Sequence, residues 1–290
     1  MASLQRELPT EEVLRLVGEI PPFPRVVARL VDRIKDPAAT LAELADIISG
    51  DPALCAFVLR MANSPLHRRG FAAAATLTVS RAVNILGRRA LESVVLSYAV
   101  RSLVRRSSLL ENLLWEHCIA AAVAAAEIIG RVQSKQTETA YVCGLLHDVG
   151  KMLLLARFPD SMGSIIQDQY NGCPEGDNCS SVVLERERIG IDHCRVGAVA
   201  LDVWQCGEEA VVSCAYHHRP RDAAGRSIMP AVVCMADLMA QKLEYGPLRL
   251  PDLDLSPVRR TLKISDKDFS SLLQRVQAKV QDVLHLFSDK

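Results

Sequence analysis

YVCGLLHDVGK, residues 141–151, is an apolar segment that contains an adjacent His147-Asp148 pair and, three residues further on, Lys151. Neighbouring side chains of a helix point about 100° apart, so the pair cannot face one metal ion squarely. A carboxylate has two oxygens, however, and can bridge two ions about 3.5–4 Å apart that share a water molecule. Lys151 falls on the same helical face as Asp148, where it could steady a substrate phosphate or a bound hydroxide. Asp148 and Lys151 are therefore the catalytic candidates.

Further residues of metal-ligand type surround this pair in the sequence. The chain has seven histidines, and five of them lie between positions 117 and 218. The predicted metal ligands are His117, His147, Asp148, His193, His217, His218 and Asp237. Five imidazoles and two carboxylates suit six-coordinate ions better than a four-ligand structural zinc. We therefore expect two divalent metal ions as cofactors, with Fe or Mn as the candidates.

Each histidine also has an ordinary interpretation. A single buried histidine is usually a hydrogen-bonded core residue, and His217-His218 before Arg-Pro could form an exposed turn. The combined order within apolar helices favours ligands, because five imidazoles without partners would be costly to remove from water. His67 and His285 fall outside the pattern and are expected to have no role in the site.

Hydrophobic periodicity is helical along nearly the whole chain and predicts an all-α fold. Pro24–Lys35 places apolar residues on one face, and Asp51-Pro52 is a helix start signal. Helices over Thr78–Leu86 and Arg89–Val104 are expected to be separated by Gly87. Brief β-branched runs occur, but none is bounded by hairpin turn signals. The fold is expected to be a multi-helical bundle with an N-terminal set of short helices packed against it.

The residue composition of the chain changes near Arg105–Asn112, a charged and polar segment. We expect one domain over residues 11–245, divided into an N-terminal helical subdomain (11–106) and a subdomain with the metal site (107–245). Residues 246–290 should form a linker that contains prolines, followed by a C-terminal amphipathic helix. No long flexible linker separates the two subdomains, so they are expected to pack as one globule.

Charge, signal content and cysteine usage restrict the possible partners and the location. The 34 basic and 34 acidic residues balance, whereas proteins that depend on phosphate contacts usually carry a basic excess. The sequence shows no export signal and no apolar run long enough to span a bilayer. The nine cysteines form no Cys-x-x-Cys motif and are expected to be reduced thiols. Cys173 and Cys179 are the one pair near enough in sequence to form a disulfide. We expect a cytoplasmic protein that binds neither membrane nor nucleic acid.

Clustered arginines leave two interpretations open. Arg219, Arg221 and Arg226 follow the His-His pair and could receive a phosphate or an acidic partner, although a solvated loop is the favoured account. Other basic residues could form a patch if the fold brings them together: Arg68-Arg69, Arg88-Arg89, Arg101, Arg105 and Arg106. The segment GLLHDVGK is not a nucleotide-binding P-loop, because five residues separate its glycines and Met152 replaces the required Ser or Thr.

The order of ligands resembles that of the HD superfamily of metal-dependent phosphohydrolases, whose dinuclear members include the HD-GYP phosphodiesterases. Successive blocks from about Glu11 to Tyr245 resemble the HDOD domain, the HD-related output domain of bacterial signalling proteins. The blocks are LPTEEVLRLVGEIPPFPRVVARLVDRIKDP, DPALCAFVLRMANSP, AVNILGRRALESVVL, LLWEHCIAAAVAAAEI, YVCGLLHDVGKMLL, GIDHCRVGAVALDVW and AYHHRP.

This resemblance implies an all-α bacterial regulatory module, of a kind often fused to receivers or other signalling domains. Most HDOD domains are thought not to be enzymes, because many have lost part of the ligand set; here every position is occupied. The chain departs from HD-GYP enzymes in lacking a Gly-Tyr-Pro motif. Leu113 also stands where some of those enzymes carry an additional carboxylate. Neither a third metal nor cyclic-dinucleotide hydrolysis is therefore expected.

Three functions fit these features. The first is a regulatory HDOD protein that keeps its dinuclear site and acts mainly as an output or protein-interaction module with a signalling protein partner. The alternative is a metal-dependent phosphohydrolase or phosphodiesterase that acts on a nucleotide or another small phosphoester. Redox chemistry at a di-iron site, which some HD proteins perform, is the third and least favoured.

Overall fold

The computed structural model describes residues 10–20, 24–64, 78–103, 108–133, 136–171, 180–223, 225–247 and 256–285. Every regular element within these ranges is a helix, and no strand is present among them, so the predicted all-α class is confirmed. Several sequence predictions lie outside the described residues: those for His67, Arg68-Arg69, Arg105-Arg106 and the Cys173–Cys179 pair.

Contacts between Cα atoms divide the chain into two compact units. The site unit comprises residues within 1–21 and 104–276, and the N-terminal unit those within 22–103 and 277–290. The predicted domain boundaries stay predictions.

The N-terminal unit contains α2 (Arg25–Lys35), α3 (Leu41–Ser49), α4 (Pro52–Ala62) and α5 (Val79–Ser102). Local sequence signals account for these helices. Thr40 and Glu43 form a capping box at the start of α3, and Asp51 caps α4 by accepting a hydrogen bond from the Leu54 amide. At Gly87 the backbone takes φ 67° and ψ 175°, which interrupts α5 at the predicted position.

Arg88 fixes the corner between α2 and α3. Its guanidinium donates to the carbonyl oxygens of Ile34 at 2.7 Å and Asp36 at 2.9 Å, and also to that of Ala39. These carbonyls belong to the end of α2 and the following loop, where carbonyl groups have no hydrogen-bond donor within a helix. Arg88 is therefore a structural residue in the corner of the unit, not part of the basic patch that the sequence left open.

Replacing Arg88 with alanine should destabilise the protein by about 1–3 kcal/mol, because buried carbonyls would lose a charged donor. Urea unfolding followed by circular dichroism measures this change. Arg89→Ala removes an arginine side chain at the next position, and this side chain does not donate to these carbonyls. It should lower the free energy of unfolding by well under half as much. Equal effects of the two substitutions would contradict the role given to Arg88.

The site unit contains the remaining helices. They are α1 (Thr10–Val17), α6 (Leu109–Val132), α7 (Thr137–Leu146), α8 (Val149–Arg157), α9 (Pro159–Asn171), α10 (Ser181–Arg188), α11 (His193–Val203), α12 (Glu208–Tyr216), α13 (Met229–Lys242), α14 (Ser256–Thr261) and α15 (Asp266–His285), with a 3₁₀ turn at Pro220–Ala223. The division between units falls within α15. Helix α6 packs along α7 and α13, while α11 packs on α8 and α12.

Two apolar segments, Leu109–Val132 and Thr137–Arg157, have the length and composition of membrane spans. This differs from the expectation that no segment would qualify. Their most apolar windows are 72% and 89% buried inside the fold, as in the core helices of globular proteins. The second segment also contains the buried polar residues His147, Asp148 and Lys151. Both segments are therefore interpreted as core helices, and the cytoplasmic location stays a prediction.

The cysteines of the described residues are free thiols, as expected. Burial raises the pKa of Cys143 and of Cys234 to about 12, which keeps both thiols protonated at neutral pH.

Helices α8 and α11 approach each other closely at Gly150. A Cβ atom built on Gly150 would lie 1.9 Å from the carbonyl oxygen of His193 and 2.8 Å from the amide nitrogen of Gly197. Both neighbours are backbone atoms, which cannot move without shifting α11. Only glycine therefore permits the present position of His193 at the start of that helix.

Gly150→Ala should destabilise the protein by roughly 1–3 kcal/mol or more, the usual cost of overpacking. Gly163→Ala in α9 is the matched control, since a Cβ there meets no atom within 4 Å. Alanine at 163 should stabilise by about 0.5–1 kcal/mol through helix propensity. Thermal unfolding of both variants tests the difference, and a Gly150→Ala protein as stable as Gly163→Ala would rule out the close approach.

Candidate metal centre

Five of the seven predicted ligands lie at helix ends and breaks. His147 and Asp148 lie in the break between α7 and α8, where Asp148 has φ −106° and ψ 14° and leaves helical geometry. The pair is therefore not held within one continuous helix, as the 100° argument assumed. His193 is the first residue of α11, and His217-His218 directly follow α12. His117 and Asp237 project from within α6 and α13.

The Asp148 carboxylate lies at the middle of this cluster and faces two pairs of imidazoles. Its Oδ2 is 3.4 Å from His147 Nε2 and 3.5 Å from His117 Nε2. Its Oδ1 is 3.4 Å from His193 Nε2 and 3.6 Å from His217 Nε2. Oδ1 is buried and accepts no hydrogen bond from any described residue. A buried acceptor without a donor is costly unless a cation or water completes it.

Lys151, the other catalytic candidate, lies beside the cluster but is already paired. Its ammonium nitrogen donates to Asp148 Oδ2 at 2.7 Å, and only 4% of the residue is exposed. Burial lowers the pKa of Lys151, but the neighbouring carboxylates of Asp148 and Asp237 outweigh it and raise the pKa above its usual value. Lys151 therefore keeps its charge and stabilises the Asp148 carboxylate.

Carbonyl groups orient three of the rings. His147 Nδ1 lies 2.7 Å from the Gly144 oxygen, and His217 Nδ1 lies 2.9 Å from the Cys214 oxygen. His117 Nδ1 is 3.2 Å from the Tyr245 oxygen. A carbonyl can only accept, so each Nδ1 carries the proton and donates, which leaves the Nε2 lone pair directed into the cluster.

Glu185 orients the fourth ring and was not identified from the sequence. Its Oε2 accepts from His193 Nδ1 at 2.6 Å and from the His193 amide at 2.7 Å. The residue is fully buried, and burial raises its pKa to about 8. Glu185 belongs to the charged segment Glu185–Arg188 (ERER), in which no sequence signal separates it from the exposed Glu187. Its role arises only from the packing of α10 against the start of α11.

The oriented Nε2 atoms crowd together. His117 and His147 Nε2 are 3.3 Å apart, His193 and His217 Nε2 are 3.4 Å apart, and His218 Nε2 is 3.1 Å from His193 Nε2. Two lone pairs at such distances repel unless a proton or a metal ion lies between them. Three groups of ligand atoms within 4.8 Å of one another could hold a metal ion: His117, His147 and Asp148; His147, His217 and Asp237; and His193, Cys194, His217 and His218.

Electrostatics also favour a cation at this place. Burial lowers the pKa of His147, but the Asp148 and Asp237 carboxylates outweigh it and raise that pKa to about 10. Burial raises the pKa of Asp148, yet His147 and Lys151 hold it well below its usual value. Burial and the Lys151 charge keep the pKa of His193 well below its usual value, so this ring stays neutral. The carboxylates that draw a proton onto His147 also favour a metal cation in its place, and His193 already offers a neutral ring nitrogen, so the set suits a divalent metal.

One curated relative and several solved structures are similar to the chain. A protein from Treponema pallidum (strain Nichols), described only as uncharacterized, is 23% identical over 208 residues, which cover 70% of this chain and 38% of that protein. The chain thus matches well under two thirds of that relative's length.

The similar structures share the fold. A candidate phosphohydrolase from Shewanella amazonensis SB2B has a TM-score of 0.73 at 23% identity, covering 95% of this chain and 98% of its own. An HDOD domain protein with unknown function from Geobacter sulfurreducens has a TM-score of 0.70 at 23% identity, covering 97% and 98%. A candidate signal transduction protein from Marinobacter aquaeolei VT8 has a TM-score of 0.70 at 20% identity, covering 99% of this chain and 66% of its own.

The family model of the HDOD domain matches residues 20–220, more than two thirds of the chain. This range includes the blocks that carry the resemblance, apart from the start of the first one, and six of the seven predicted ligands. The chain belongs to the HDOD family.

Proposed function

We propose that this HDOD protein holds two divalent metal ions, Fe or Mn, and acts mainly as an output or protein-interaction module for a signalling protein partner. The observation that supports the metal centre is the Asp148 carboxylate, each of whose oxygens faces a different pair of imidazoles at 3.4–3.6 Å. Such a carboxylate suits a bridge between two ions.

The remaining ligands divide between the two sides of Asp148. His117, His147 and Asp237 would hold the ion on the Oδ2 side, and His193, His217 and His218 the ion on the Oδ1 side. When bound, a pair of such ions lowers the pKa of a water molecule between them and binds phosphate oxygens. Glu185 and the three carbonyl groups keep the Nε2 lone pairs directed at the ions.

The position of Lys151 favours an output module over an enzyme. A lysine that steadies a substrate phosphate needs an accessible ammonium group, whereas that of Lys151 is buried and bound to Asp148 at 2.7 Å. The charge of Lys151 stabilises the Asp148 carboxylate instead of a substrate phosphate. The signal transduction protein among the similar structures supports a signalling context, and a signalling protein is the partner class that we propose.

A metal-dependent phosphohydrolase acting on a nucleotide or another phosphoester is the second candidate. One observation favours it: His218 as a residue is exposed, unlike the other four histidines of the cluster, which gives the centre a side that a substrate could reach. The phosphohydrolase description of a similar Shewanella structure agrees with this alternative. In that case Asp148 would be the residue on which turnover depends.

Protein purified without oxygen should contain about two metal ions per chain by elemental analysis. Asp148→Asn keeps the size of the side chain but removes its charge, and should reduce the content to one ion or less. Asp202→Asn, at an exposed position of α11, is the control and should keep both ions. Less than one ion in the unaltered protein, or full loading of the Asp148→Asn variant, would contradict the proposed centre.

A substrate screen separates the two functions. Phosphomonoesters, nucleotides and cyclic dinucleotides are offered to protein loaded with Mn or Fe. Metal binding without turnover supports the output module. Turnover that Asp148→Asn abolishes supports the phosphohydrolase, while turnover that survives this substitution is not due to the proposed centre.

Glu185→Gln should weaken metal binding about 10–100-fold, because a ligand histidine loses the carboxylate that orients it. The amide keeps the size of the side chain but can never carry the negative charge that Glu185 gains when it ionises, so it is the weaker acceptor for the two His193 donors. Glu187→Gln, two residues away and exposed, is the control and should bind as the unaltered protein does. Titration of the metal-stripped variants with Mn measures both affinities. Equal affinities would contradict the role of Glu185 in orienting His193.

A further inference from the structure

A cavity of about 900 Å³ opens beside His218, an exposed residue. All of its lining residues belong to the site unit. This volume lies within the range of pockets for small molecules, about 300–1,000 Å³, and far exceeds the space that a single ion needs. The predicted metal ligands other than His218 do not line it among the described residues. The cavity is therefore adjacent to the metal centre and distinct from it.

Three arginines give the cavity its chemistry. Arg219, Arg221 and Arg226, which the sequence left as a solvated loop or a phosphate receiver, all line it. Arg219 lies over the Tyr216 ring at 5.6 Å and is 3.5 Å from Asp222. No described residue forms an ion pair or a side-chain hydrogen bond with Arg221, although it is an exposed part of the wall. Planar guanidinium groups bind phosphate through paired hydrogen bonds.

The acidic residues of the wall do not cancel this charge. Asp222 lies beside Arg219, and Glu209 accepts a hydrogen bond from the Ser227 hydroxyl at 2.5 Å. Neither carboxylate forms an ion pair with Arg221 among the described residues, so the cavity keeps a cationic group that favours an anion.

An apolar wall and two amides complete the cavity. Ile228, Ala231, Leu238 and Val258 supply apolar surface, and Gln133 and Gln136 supply groups that both donate and accept hydrogen bonds. A bare phosphate would use only the arginines. A ligand that uses every part of the wall has a phosphate at one end and a flat, largely apolar body with hydrogen-bonding edges.

We propose that this cavity binds a phosphorylated small molecule of mononucleotide size, with its phosphate on the arginines and its body against Ile228, Leu238 and Val258. The ligand would contact His218 and thereby communicate with the metal centre. Binding to the arginines needs no metal ion, so this site does not depend on the proposed function, although its link to His218 does.

Calorimetric titration of the full chain with AMP and GMP tests the site, in metal-stripped and in Mn-loaded protein. At least one of the two nucleotides should bind, and adenosine or guanosine and inorganic phosphate should each bind at least tenfold more weakly. Arg221→Ala should weaken nucleotide binding about tenfold or more, the usual effect of losing a charged hydrogen-bond partner. Arg15→Ala, an exposed arginine of α1 outside the cavity, is the control and should leave it unchanged.

Three outcomes would overturn the proposal: no binding of either nucleotide at millimolar concentration, equal binding to Arg221→Ala, or phosphate binding as tightly as the nucleotide. Metal content measured on the same samples keeps the two proposals apart. Nucleotide binding by protein that takes up no Mn on loading would support the cavity site and contradict the metal centre. Full metal content without nucleotide binding would do the reverse.

Discussion

The site unit depends on one constraint, the burial of an ionised carboxylate. Asp148 is 1% exposed, and removing such a charge from water costs several kcal/mol unless its surroundings compensate. Lys151 supplies one charge, and four imidazoles surround the two oxygens. The rings can do so because their other nitrogens are held by acceptors at helix ends. Breaks and ends of helices, where backbone groups lack helical partners, are thus where the site could be built.

The sequence predicts what local patterns determine. The helix starts at Asp51-Pro52, the interruption at Gly87 and the all-α class follow from capping, glycine conformation and periodicity. The seven candidate ligands stood out because imidazoles and carboxylates are rare in apolar helices. The structure brings them together, and their role as metal ligands stays a prediction. The roles of Glu185 and Arg88 could not be predicted from the sequence, because each depends on contacts that form only when helices pack. Glu185 contacts His193, and Arg88 contacts carbonyls 49–54 residues earlier in the chain.

Family membership and site chemistry lead to different functions, and the geometry helps to reconcile them. The residue types of the HD ligand pattern are present, yet Lys151, the candidate for binding a substrate phosphate, is paired with Asp148 inside the cluster. The solvent-facing part of the centre is His218, which borders an arginine-lined cavity. The proposed metal centre contacts the proposed ligand cavity through one histidine, and this arrangement would be suited to transmit a bound state to a partner protein.

The central claim is that Asp148 lies between two metal ions. Diffraction from crystals grown with Mn, measured with anomalous scattering from that metal, tests it most directly. The account predicts two anomalous peaks about 3.5–4 Å apart, one beside each oxygen of Asp148. A single peak, or two peaks that do not share this carboxylate, would contradict it.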